Sequence, residues 1–153
     1  MSRNALQLTY FERHAHVGTL LLRLFLAFVL IYGTQDNVFS QERMHEFRDF
    51  LAANGFPFPL ASAHLSAYAQ FLCGGLIALG LYTRLAALIM IINFVVALAM
   101  VHVGLPFNAN IAPLAMLFGS VFLLFNGAGP VSLDARVEAR GEVRRGEPVV
   151  HVG

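Results

Sequence analysis

A few polar side chains stand inside or beside long apolar stretches, and any chemistry this chain performs must come from them. Arg23 lies six residues past Val17, roughly 9 Å into an apolar run at the helical rise. Tyr32 and Asp36 are spaced i,i+4 and so share a helix face, with Gln35 beside them. Further along come His64, Tyr68 and Gln70, then Asn93, then His102 with Asn108 and Asn110 shortly after. An Asp–His–Tyr–Gln set near a membrane interface can exchange protons with a reducible ring, because His titrates near neutrality and a carboxylate can orient it. In that reading Asp36 and His102 handle protons, while Arg23, Tyr32, Tyr68 and Gln70 bind the substrate. A plainer reading stands beside it: Tyr and His settle at interfaces, and an Arg near a span end snorkels to water. Asn93 precedes His102 by nine residues, which puts the two on opposite helix faces and makes Asn93 interhelical hydrogen-bond glue.

The elements that must position these groups are four apolar runs, Val17–Gly33, Leu65–Leu81, Leu85–Val103 and Ile111–Phe125. Each is about long enough to cross the ~30 Å hydrocarbon core of a bilayer as a helix. Hydrophobic residues make up 58% of the 153-residue chain and charged residues 12%, a balance outside the soluble-globular norm. The expected fold is an all-α transmembrane four-helix bundle over residues 1–135, with a charged, disordered or frayed cytoplasmic tail over 136–153. A secretory signal is a poorer reading of the first run, which is long for one and is followed by three more.

The segments between the runs carry the orientation. Arg3, Arg13, Arg84, Arg136, Arg140, Arg144 and Arg145 fall on one side, and only Arg43 and Arg48 on the other. Seven against two places both termini in the cytoplasm. All ten basic residues are Arg, an association with GC-rich bacterial genomes, so the expected membrane is a bacterial inner membrane. The first outside loop is more than a linker. Ser40 is a helix N-cap, Met44, Phe47, Phe50 and Leu51 share a face as far as Ala53, and Asn54-Gly55 with Pro57 and Pro59 stop the helix. Such a helix either rests on the outer membrane surface or folds over the bundle mouth as a lid.

Several function classes drop out. No basic block points to nucleic acid, and no nucleotide fingerprint, zincin helix or nucleophile elbow is present. Cys73 stands alone, and the His14/His16 pair lacks further ligands, so no metal site is expected. A channel or transporter needs a polar path that one mid-depth Asn does not supply.

Three passages carry a family resemblance. They are Leu22-Arg23-Leu24 in a first span ending near Gly33; Gly74-Gly75 followed by Gly80-Leu81-Tyr82-Thr83-Arg84; and Asn126-Gly127-Ala128-Gly129-Pro130-Val131-Ser132-Leu133-Asp134 at the exit of the fourth span. With these the chain resembles the DoxX family of small four-span bacterial membrane proteins over about residues 17–135. The resemblance implies a membrane-embedded bundle linked to redox work; relatives include a subunit of an archaeal thiosulfate:quinone oxidoreductase. Two positions depart from the family pattern. Gly33-Thr34-Gln35-Asp36 lacks the usual basic residue, and Ala69-Gln70-Phe71-Leu72-Cys73 lacks the usual acid. Two functions follow as expectations. One is a redox subunit that interacts with quinone or a small aromatic or sulfur substrate through a polar site toward the extracytoplasmic side, with a partner protein supplying electrons. The other is a non-enzymatic scaffold that binds a partner protein or a second copy of itself.

Overall fold

The computed structural model describes residues 13–145, the last five by backbone alone. Among them the helices are α1 (Ala15–Phe39), α2 (Gln41–Ala53), α3 (Pro59–Leu79), α4 (Thr83–Met100), α5 (Phe107–Asn126) and α6 (Leu133–Arg145). Helices α1, α3, α4 and α5 are long and apolar enough to span a membrane. Their outward faces carry Leu21, Phe25, Phe28, Leu72, Ile92 and Phe118, all largely exposed, as lipid-facing side chains must be. The expected four-span bundle is therefore the observed one.

Helix α1 packs chiefly on α3, and α4 on α5, with α3 also against α4. The shared core is built from Leu26, Ala27, Leu30, Ile77, Ala86, Ala87, Met90, Met116 and Leu123, with the thiol-bearing Cys73 buried among them. Close approach depends on small residues, because lipid gives helices no hydrophobic reason to associate. A Cβ on Gly74 would sit 2.8 Å from Ile31 Cγ1, and one on Gly119 would sit 2.7 Å from Leu26 Cδ2. A Cβ on Gly75 would meet nothing within 4 Å, so this glycine is not required for close approach.

Some boundaries differ from the hydropathy reading. Helix α1 runs on to Phe39 and takes in Asp36, because no breaker stands between Gly33 and Ser40. Helix α3 starts at Pro59, which is preorganised for the first helical position and begins this helix as well as ending the loop. The charged tail is helical from Leu133 to Arg145; residues 146–153 lie outside the described part.

Helix α2 is the amphipathic segment expected after Ser40, whose hydroxyl accepts from Arg43 N–H at 3.4 Å. Its Met44 and Leu51 are buried against Ala63 and Ala67 of α3, with Val38, Phe47, Phe56 and Val101 around them. It folds over the bundle mouth instead of resting apart from it.

Candidate functional site

Polar groups collect at the two ends of the bundle, and the two sets are built differently. At the α2 end lies a cavity of about 580 Å³ between α1, α3, α4 and α5, roofed by Phe47, Phe50 and Leu51 of α2 and by Phe56. Val29, Leu30, Ala69, Ile89, Phe94 and Met116 make most of its wall apolar. Five polar side chains with unequal roles interrupt that wall: Ser62, Ser66, Gln70, Asn93 and His102. Gln70 Nε2 donates to Ser66 Oγ at 3.1 Å, and Ser66 Oγ donates to Asn93 Oδ1 at 2.8 Å. This chain ties α3 to α4 at mid-depth, so Asn93 does act as interhelical glue. His102 Nδ1 is buried and has no hydrogen-bond partner among the described residues.

The expectation that Asn93 and His102 cannot serve one pocket is overturned. Helical periodicity would separate them, but α4 ends at Met100 and His102 sits in the turn beyond it. Once the chain leaves the helix, the 100° per residue rule no longer fixes the direction of its side chain. Both residues line the same cavity.

The other sequence candidates lie elsewhere. Tyr32 is 65% exposed and stacks on Phe28, and Asp36 is exposed on the last turn of α1. Tyr68 stacks with His64, whose Nδ1 donates to the Leu60 carbonyl at 2.9 Å. None of these four lines the cavity. Sequence reading missed Ser66, although it precedes Gln70 by one helical turn and so shares its face. It also missed Pro113, inside α5, which lines the cavity and offers no N–H to the Ala109 carbonyl one turn earlier.

At the opposite end Arg23 neither snorkels nor faces the cavity. It is 3% exposed and donates through Nη1 to the Ala128 carbonyl at 2.6 Å and through Nη2 to the Val131 carbonyl at 2.9 Å. Its Nε and the Thr83 hydroxyl have no hydrogen-bond partner among the described residues. Asn126 Nδ2 donates to Thr19 Oγ1 at 3.0 Å, tying the end of α5 to α1. Gly80 closes α3 in the left-handed region at φ 65°, with Leu81 N–H on the Leu76 carbonyl and Gly80 N–H on the Ile77 carbonyl, a Schellman ending. Any Cβ there would lie 2.5 Å from Arg23 Nη1 and 2.6 Å from Ser132 Cβ. Helix α4 has no cap of its own, and Asp134 supplies one from across the turn. Its carboxylate accepts from Tyr82 N–H at 2.7 Å and Thr83 N–H at 3.0 Å, where the helix dipole favours negative charge. The same contact holds Tyr82 at a positive φ of 49°, rare outside glycine.

Thus the Arg23, Gly80–Arg84 and Asn126–Asp134 passages, far apart in the chain, meet in one clamp. A family model described as DoxX matches residues 18–103, more than half of the chain and including Arg23 and the Gly80 turn. The chain belongs to the DoxX family. This DoxX chain is also 33% identical over 101 residues to "Uncharacterized membrane protein Rv3486" of Mycobacterium tuberculosis (strain ATCC 25618 / H37Rv). That alignment covers 56% of this chain and 61% of the relative, so the chain spans about three fifths of the length of the curated protein it matches. No solved structure matches this DoxX chain.

Proposed function

We propose that this chain is a membrane subunit of a redox system that binds a lipophilic ring compound of quinone type in the cavity beneath α2. One observation carries this reading. An apolar chamber of about 580 Å³ is lined by His102, whose Nδ1 has no hydrogen-bond partner among the described residues, together with Gln70 and Asn93. A mostly apolar cavity with a few convergent polar groups is the usual form of a small-molecule site. The chain's own part is to enclose the ring, orient its polar head and hold a proton at His102; electrons belong to a partner protein. The distribution of arginines supports placing the clamp end in the cytoplasm and the cavity toward the extracytoplasmic leaflet of an inner membrane.

The test is an absorption spectrum and mass spectrometry of the lipophilic extract of full-length protein purified in mild detergent. A quinone at near-equimolar level is expected, with its loss from a folded His102→Ala variant. A colourless protein carrying only phospholipid would overturn the reading and favour a scaffold role.

A further inference from the structure

The boundaries of the cavity are packed unequally. At the bundle mouth the roof is seated: Met44 and Leu51 of α2 lie on Ala63 and Ala67 of α3, and all four are 4% exposed or less. Between α3 and α4 the boundary is of another kind. Leu65 of α3 and Ile89, Ile92 and Val96 of α4 line the cavity, yet Leu65 is 74% exposed and Ile92 58%. Ile92 is also one of the lipid-facing side chains, and Leu65 lies seven residues before another, Leu72, on the same face of α3. The residues that follow them in sequence, Ser66 and Asn93, bond at 2.8 Å and so hold Leu65 and Ile92 near one depth, one on each helix. The stripe Ile89, Ile92, Val96 runs ~10 Å along α4 and ends ~6 Å short of Met100, where that helix stops. The rim therefore faces hydrocarbon, not water. On α1 and α5 the exposed lining residues are Gly33 and Ala112, a single point on each helix.

Resting on the reading of the cavity as a quinone-type site, we infer that its occupant carries a long alkyl or isoprenoid tail, enters from the membrane between α3 and α4, and leaves its tail in that slot. A tailless ring arriving from water has to lift α2 off Ala63 and Ala67. A tailed molecule is already concentrated in the lipid and meets the slot with the roof in place. Its tail loses no hydrophobic free energy by lying along Leu65, Ile92 and Val96, and only the ring passes from lipid to cavity. The occupant this favours is a membrane-dissolved quinone, not a water-soluble aromatic compound.

The test equilibrates full-length protein in nanodiscs with a benzoquinone whose decyl tail ends in a diazirine, then irradiates it and maps the labelled peptides by mass spectrometry. Phosphatidylcholine with the same diazirine-bearing tail reports ordinary lipid contact. The quinone is expected to label α3 and α4 around Leu65 and Ile92, and excess unlabelled decylbenzoquinone to cut that label about tenfold. The phosphatidylcholine label is expected over all lipid-facing positions, without displacement. Ile92→Trp fills the slot from a position that lipid already surrounds and lowers the displaceable label about tenfold, whereas Leu72→Trp, on the lipid face away from the cavity, leaves it unchanged. Displaceable label centred on α2, or on Gly33 and Ala112, or an Ile92→Trp variant that behaves as Leu72→Trp does, would each overturn the lateral route while leaving the cavity a ring-binding site. So would phosphatidylcholine label with the quinone's own position and displacement, since the slot would then take any acyl chain. If no label is displaceable anywhere, the reading of the cavity falls and takes the inference along. Should Ile92→Trp not fold, the label map of the unaltered protein decides.

Discussion

The two ends of this bundle use polar side chains in opposite ways. At the clamp end they are spent on backbone: Arg23 holds two carbonyls of the segment after α5, and Asp134 holds two N–H groups at the start of α4. In the cavity wall Gln70, Ser66 and Asn93 bond to one another, and His102 Nδ1 has no partner among the described residues. A polar group bonded to backbone fixes the fold. One left with spare donors or acceptors beside an empty volume is available to a guest. The motifs that make this a DoxX chain belong largely to the first kind, so family membership speaks to architecture more than to chemistry.

Substitutions at the two ends should therefore separate stability from binding. The largest effect is expected from Arg23→Ala, which strands the Ala128 and Val131 carbonyls in an apolar layer and costs about 3 kcal/mol or more in detergent unfolding. A variant of unchanged stability would show the clamp to be incidental. Next comes Gly80→Ala, which places a Cβ at φ 65° against Arg23 and Ser132 and costs about 2 kcal/mol on the same assay. Asp134→Ala removes the borrowed cap of α4 and costs about 1 kcal/mol. His102→Ala should reverse the pattern. Its melting shifts by less than about 1 kcal/mol, whereas bound quinone falls about tenfold, and a large loss of stability with unchanged binding would erase the distinction between the ends. Tyr32→Phe and Asp36→Asn, outside both sites, should move neither property by more than about 0.5 kcal/mol.

Which of these positions the sequence reveals depends on the physics behind each. The spans are legible because a run of apolar residues in a bilayer has one inexpensive conformation, the helix. The α2 helix is legible from Ser40 and from the spacing of Met44, Phe47 and Leu51. The site is half legible. Gln70 and His102 stand out as polar groups near span ends, and both line the cavity. Tyr32, Tyr68 and Asp36 look the same in the sequence, yet face outward or away, because the face a helix presents is set by packing partners such as Gly74 against Ile31. The sequence offers Arg23 as an inward or a snorkelling group; its partners are carbonyls more than a hundred residues later, which no local pattern can supply. The shared wall of Asn93 and His102 is not legible because the apolar run continues to Val103 although α4 ends at Met100.

The clamp also sets an order of assembly. Spans leave the translocon in sequence, so α1 enters the bilayer carrying Arg23 before residues 128–134 have been synthesised. Until then a buried guanidinium has no acceptors and Tyr82 has no carboxylate to hold its turn. The first and last spans are tied together by a segment made only after all four spans. A chain that stops short of Ala128 has four hydrophobic helices and neither acceptor for Arg23. The exit sequence is thus a latch that reports that the whole bundle has arrived.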